Sequence, residues 1–506
     1  MAENEIMEGM QVEELEALAN EISLEDLAEF DEELEFDVAD LEAAEKPVYT
    51  TKEKLKLILM NNKVFSIIKW CFAGLGLIGL VLYVLAMISP DISESLSTTL
   101  SAGVRGALTA VSNLLPFSLM EILALVTVVG ILGYIGFLVY KTIKEKEGIK
   151  IAGLWVQLAY VLLAVFGTGF MLYSMCYGVT TNRPQLYKTY LKEVYAPNQF
   201  TEQSANSAMI YYTDMINNVA ADSIANDTIF YTASGHSRYA SKGDSLDKIS
   251  KTVNACYSVA KNDSQMKWLG EGSVQAKKLL FSPLYTAMGI GSIYCPITSE
   301  VLINTDYPEV IVPMQVARAI AKQRGITNDA DASLVAFLVC TRYRDYIAQN
   351  TDKYNVDYVA YSAYMDAYLE TGAVVYRMSP NRHLYCAAAL KESAKKDVTA
   401  MVKQLDAIYG NISKLEFTAK ADKTPTSDYR VLAKLLYKDY NVRVEKGDIP
   451  VTYTAEEPVP ARGSSAYCKY LISYFFKEAQ GSWGESVESV YEDYNPQPSL
   501  NDGSGN

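Results

Sequence analysis

Three uncharged apolar runs limit what this chain can fold into. Residues 70–88, 122–140 and 154–177 contain no Asp, Glu, Lys or Arg. Each is long enough, at about 1.5 Å per helical residue, to reach across a hydrocarbon core of about 30 Å. The backbone finds no water there, so each run must close its own hydrogen bonds as a helix. The runs predict transmembrane helices at about 65–88, 119–140 and 152–177. About sixty residues precede the first, so it is no cleavable signal. Lys46, Lys52, Lys54, Lys56, Lys63 and Lys69 precede the first span, and Lys141, Lys144, Lys146 and Lys150 separate the second from the third. Between the first two spans the one basic residue is Arg105. The positive-inside rule then predicts a cytoplasmic N-terminus and an extracytoplasmic C-terminal domain in a multi-pass plasma-membrane protein.

Charge divides the chain as sharply. The net charge is −15, yet residues 1–45 hold 18 of the 60 acidic residues and no Lys or Arg. The remainder carries 42 acidic against 45 basic residues. The low pI therefore belongs to a tail, whose apolar residues recur at three or four. That tail reads either as solvated chain or as an acidic amphipathic helix that forms on a basic cytosolic partner. No basic patch with interleaved aromatics points to nucleic acid. The seven cysteines include no C-x-x-C pair and read as buried free thiols.

The most specific wording lies at residues 281–340. FSPLYTAMGIGSIYCPITSEVLINTDYP leads into VARAIAKQRGITNDADASLVAFLVC. A helix, a stop at Gly325, cap candidates at Thr327, Asn328 and Asp329, and a second helix are predicted. This block resembles a family of bacterial three-pass membrane proteins known as domain of unknown function 3810. In that family a GIxGxYxPxTGEAxxN segment precedes a helix reading H-E-L-A-H-Q-R-G, and an acidic E-x-E-A-N follows. The resemblance implies a zincin-like fold: two His one turn apart and a later Glu bind zinc, and the intervening Glu is the general base. Gln323, Arg324 and Gly325 keep the frame here, as do Glu300 and Asn304, with Ser299 at the family's Gly. Arg318 and Lys322 stand at the His positions, Ala319 at the base, Asp331 at the later acid, and Ser333 at the Asn. Lys and Arg are donors only, and Ala cannot activate water. The chain's two His, His236 and His383, lie in no such motif. The resemblance thus implies the architecture without the chemistry: no catalytic residue, no metal and no cofactor. Arg318, Ala319, Lys322 and Asp331 are its degenerate positions, and Glu300, Asn304 and Gln323 are candidate cleft-lining residues. An ion pair from Arg318 to Asp331 is expected where the metal would sit.

The fold class expected is mainly α: three transmembrane helices, then a helical zincin-like ectodomain with a short strand or hairpin. The domains are an acidic cytoplasmic tail (1–45), a membrane domain (46–180), the extracytoplasmic domain (181–490) and a disordered end (491–506). Helices are expected over most of 200–280, broken near 232–243, then at 314–324, 331–349, 355–371, 381–408, 428–440 and 464–476, with a hairpin at 290–304 and an inserted loop at 442–462. In the first loop Leu96, Leu100, Val104, Leu108 and Val111 form a helical stripe, expected against the ectodomain or on the membrane surface, the former being plainer. Ser234, His236 and Ser237 lack a nucleophile elbow and read as a loop, and His383 reads as structural. Tyr354, Tyr358, Tyr361, Tyr364 and Tyr368 share a helix face, read as packing, or else as a surface for a peptide or glycan. The function expected is a membrane-anchored pseudoenzyme, not an enzyme, with a binding or scaffolding role at the cell envelope. Its partners would be the bilayer, a cytosolic partner for the tail and an extracytoplasmic peptide or glycan. Two alternatives stand beside it: an active metallopeptidase using an unmatched metal site, and a structural subunit of a membrane complex.

Overall fold

The computed structural model describes residues 63–144, 148–184, 202–225, 229–231, 237–239, 245–263, 272–287, 290–307, 309–351, 353–378, 380–395 and 464–476, with isolated residues at 50, 53, 266, 269 and 397. The acidic tail, His236, the expected 428–440 helix, the 442–462 loop and the C-terminal end lie outside them.

Helix α1 (Lys63–Ile88) is the first apolar run. Two shorter helices follow, α2 (Pro90–Leu96) and α3 (Ala102–Ser112), joined by a π turn at Ser97–Ser101. Ser89 opens α2 by accepting from the Asp91 N–H, with Pro90 at the first helical position. Helices α4 (Leu119–Lys144) and α5 (Gly148–Cys176) carry the second and third runs. Helices α1, α4 and α5 are each long and apolar enough to cross a membrane.

The chain divides into two compact units, residues 1–67 with 137–159 and residues 68–136 with 160–506. In the first, Lys141 and Lys144 sit in the last turn of α4, where cations complement the helix dipole. Their ammonium groups lie 5.8 Å and 4.8 Å from the Phe137 and Tyr140 ring centroids. In the second, α1 and α5 touch through small residues. A Cβ on Gly76 would lie 2.8 Å from the Gly167 Cα, and one on Gly79 would lie 2.7 Å from the Met171 Cα. A Cβ on Gly130, Gly133 or Gly136 of α4 would meet nothing within 4 Å, so close backbone approach is confined to the α1 pair among these glycines.

The rest of the second unit is mainly helical, as its periodicity predicts. It runs α6 (Glu202–Ala225), β1 (Ile229–Tyr231), β2 (Ser237–Tyr239), α7 (Ser245–Ala260), β3 (Ala276–Lys278), α8 (Ser282–Ala287), β4 (Ser292–Cys295), β5 (Glu300–Ile303), α9 (Val312–Gln323), α10 (Asp329–Arg342), α11 (Arg344–Asn350), α12 (Val356–Met378), α13 (Pro380–Ala389) and α14 (Ser464–Tyr474). Helix α12 is central, packed on α6, α10, α13 and α14. Asn355 caps its start by accepting from the Tyr358 N–H. Tyr358, Tyr361, Tyr364 and Tyr368 are buried, so the tyrosine run is a packed face and not an open aromatic surface. Phe337 sits edge-on to Tyr212, Tyr364 and Tyr474, joining four helices in one aromatic core.

Two strand features depart from the helical expectation for 200–280. β1 and β2 pair antiparallel, and β3 lies parallel to β5, giving the sheet order β3-β5-β4. β4 and β5 form the expected hairpin, with Cys295 opposite Glu300. Its turn places Ser299 at φ 53°, the left-handed region that favours glycine. Ser299 is held there because its hydroxyl and carbonyl both face the Thr109 hydroxyl, at 2.9 and 3.2 Å.

Candidate functional site

Helix α9 buries Val316, Ala317, Ile320 and Ala321 on one side. It stops at Gly325, whose φ of +91° suits glycine, while the Ile326 N–H returns to the Ala321 carbonyl. A Cβ there would also come 2.8 Å from Arg105 Nη2. Asn328 opens α10 by accepting from the Ala330 and Asp331 N–H groups. This is the predicted helix, stop, cap and helix. It fixes Arg318 and Lys322 one turn apart on α9 and brings Asp329 and Asp331 to the first turn of α10.

The carboxylate facing Arg318 is Asp366 on α12, with Nη2 and Oδ2 2.5 Å apart. Sequence reasoning expected Asp331 in that place. The difference is one of reach: Arg318 projects toward the central helix, where its guanidinium also stacks 5.3 Å from the Tyr467 ring of α14. Lys322 pairs with Asp329 at 2.5 Å, in a largely solvated position. Asp331 is buried, with its backbone N–H tied to Asn328. Ala319, at the position of a general base, is 1% exposed in the hydrophobic core. The Tyr467 hydroxyl faces the same Asp366 carboxylate and favours its charged form.

Charge in this cluster is tightly coupled. Burial raises the Asp366 pKa, and Arg318 pulls it back. One turn along α12, Glu370 is pushed up to about 8, first by burial and then by the neighbouring Asp366 charge, with Arg318 opposing. Burial works against the Arg318 charge, but Asp366 and Tyr467 outweigh it and its pKa lies above the usual value. One guanidinium thus acts on two carboxyl groups whose neutral forms burial favours. Zinc needs lone pairs where Arg318 and Lys322 present only N–H donors and positive charge, so the residues in these positions do not fit a metal ion. Among the described residues no three His, Cys, Asp or Glu side chains are grouped to hold one.

Glu300, Asn304 and Gln323 are buried. Glu300 accepts from the Leu119 and Met120 N–H groups at 2.9 and 2.8 Å, capping the start of α4. It also accepts from Thr298 at 2.8 Å and pairs with buried Lys277 at 2.6 Å. Lys277 in turn donates to the Ser112 carbonyl. The arrangement is reciprocal: Glu121 in the first turn of α4 accepts from the Leu280 and Phe281 N–H groups, at 2.8 and 3.0 Å, just before α8. Gln323 donates to Thr109 of α3, and Asn304 donates to Thr286 of α8 and the Ile290 carbonyl. Arg183 pairs with Glu94 and donates to the Gly325 carbonyl. Glu300, Glu121, Gln323 and Arg183 thus tie the domain after α5 to the start of α4 and to α2–α3, while Asn304 ties α8 to the hairpin.

His383 lies against α12, its Cδ2 3.4 Å from where a Cβ of Gly372 would sit; burial lowers its pKa, as suits a packed residue. The seven cysteines are free thiols, all buried except Cys71. Sequence reasoning missed Lys277, Asp366, Glu370 and Tyr467. Of these, Asp366 and Glu370 had a signal, two acids one turn apart in an otherwise tyrosine-rich helix.

The family described as protein of unknown function (DUF3810) matches residues 96–420, more than half of the chain. The matched stretch includes α4, α5, the hairpin and the α9–α10 pair. No curated protein and no solved structure matches the chain.

Proposed function

The chain belongs to the DUF3810 family, and on that footing we propose that it is a membrane-anchored, catalytically inactive zincin-like protein with a binding or scaffolding role at the cell envelope. The observation carrying this reading is Arg318, a guanidinium held by Asp366 at a position where the resemblance puts a zinc-binding His. A fixed cation can hold two helices as a metal ion would, but it supplies no open coordination site and no activated water. The same reading places the tail in the cytoplasm, free to dock a basic partner, and the ectodomain outside. A peptide or glycan ligand would meet that domain elsewhere than at the tyrosine run, which is buried.

Turnover of peptides tests the proposal. The full-length protein, in zinc-supplemented buffer, is incubated with a random peptide library and the products read by mass spectrometry. The expected result is retention of some peptides and no new termini. New termini that vanish on chelation would overturn it.

A further inference from the structure

The surface beside the start of α4 is inside out. Ser112, Ser118, Glu121, Lys277, Ser282 and Thr286 are all buried there. Beside them Leu114 is 81% exposed, Leu280 53%, Phe281 49% and Leu284 56%. In α8 the inversion is complete within one helix: its Ser282 and Thr286 hydroxyls turn inward to backbone carbonyls while Leu284 turns outward. A surface in water does the opposite, whereas polar groups satisfied within the protein beneath an apolar exterior suit an apolar solvent. The α2–α3 segment repeats the pattern. Its Ser93, Ser97, Ser101, Arg105, Thr109 and Ser112 stripe is the buried one, and its Leu100 and Val111 face out, reversing the plainer sequence expectation.

Depth follows from hydrogen bonds. The apolar span begins at Leu119. Glu121, in its first turn, holds the Leu280 and Phe281 N–H groups within 3.0 Å, so these residues sit at the level where α4 begins. Leu284 is about one helical turn further along. The exposed side chains therefore continue the lipid-facing surface of α4 onto the ectodomain.

We propose that Leu114, Leu280, Phe281 and Leu284 form a monotopic foot that sinks into the acyl region of the leaflet on the ectodomain side. The occupant is lipid, because the patch is continuous with a membrane span; exposed Lys278, two residues before Leu280, is a cation at its edge, as suits a headgroup boundary. The foot would seat the ectodomain flat on the bilayer, with the Glu300 and Glu121 caps setting its height.

Spin-label accessibility tests this on the full-length protein in phosphatidylcholine–phosphatidylglycerol vesicles. Phe281→Cys, Leu284→Cys and Leu114→Cys are made in a Cys71→Ala background, where the remaining cysteines are buried. Tyr346→Cys, at an exposed ectodomain position, is the aqueous reference, and Leu132→Cys on α4 the lipid reference. The expected result is collision with oxygen exceeding collision with a nickel chelate at the three foot positions, as at 132 and opposite to 346. Nickel exceeding oxygen at these positions would overturn the proposal. So would shielding from both reagents, which would mean a protein covers the patch.

Discussion

Changing Glu300 to Gln should unfasten the C-terminal domain from α4. The wild-type carboxylate accepts from two helix-start N–H groups, the Thr298 hydroxyl and the Lys277 ammonium, whose side chain is 1% exposed. Gln keeps the shape but removes the charge and turns an N–H₂ donor toward other donors. Lys277 is then left as a buried cation with the Ser112 carbonyl, and breaking such a pair costs about 3–5 kcal/mol. Lys277→Met should cost less, about 1–3 kcal/mol, because Glu300 keeps three donors, two of them at a helix start. The double variant removes both charges and should fall short of the sum by about 0.5–3 kcal/mol. Urea unfolding of the full-length protein in mild detergent reads the cycle. Reactivity of the buried Cys295 thiol, paired across the hairpin from Glu300, gives a local readout. A Glu300→Gln loss below about 1 kcal/mol, within the range of exposed pairs, or strictly additive variants would refute the reasoning.

Arg318→Ala strands Asp366 in the core and should cost about 3–5 kcal/mol, whereas Lys322→Ala breaks a solvated pair and should cost at most about 1 kcal/mol; equal losses in urea unfolding would count against the cluster. Glu370 carries a pKa raised from 4.5 to about 8, so the folded state holds a proton that the unfolded state has released. Stability from this group is therefore full below pH 4.5 and falls as pH rises through about 8, and Glu370→Gln should flatten that stretch of a stability–pH curve. In a cysteine-free background an impermeant thiol reagent applied to intact cells should label Pro450→Cys and spare Asn20→Cys, and the reverse would invert the topology drawn from the lysines.

What was legible in the sequence was whatever the solvent or the backbone demands locally. A bilayer demands long uncharged runs, so α1, α4 and α5 could be read directly. A helix stop demands glycine and a start demands a cap, so Gly325 and Asn328 marked the α9–α10 turn. Three-residue β3 has no such signature, because its pairing with β5 is made across 21 intervening residues. Asp366 lies 48 positions from Arg318, and Asp331 was the nearer acid in sequence. The α2–α3 segment was misjudged for a physical reason. Its apolar stripe has two readings, against the ectodomain or on the membrane surface, and the plainer one treats water as the solvent, while the buried stripe is the Ser, Thr and Arg series at intervals of four. Glu300 and Asn304 were read as cleft residues from the family wording. Glu300 instead binds Lys277 and the Leu119 N–H at the start of α4, and Asn304 binds Thr286 of α8 within the same domain.

The proposed pseudoenzyme would keep the Arg318 cluster in place of a zincin's metal and do no metal chemistry. Zinc content of the full-length protein after mild chelation tests it most directly, read by elemental analysis alongside peptidase activity. The account predicts far less than one zinc per chain and no hydrolysis. One tightly held zinc per chain, lost on strong chelation together with peptidase activity, would contradict it.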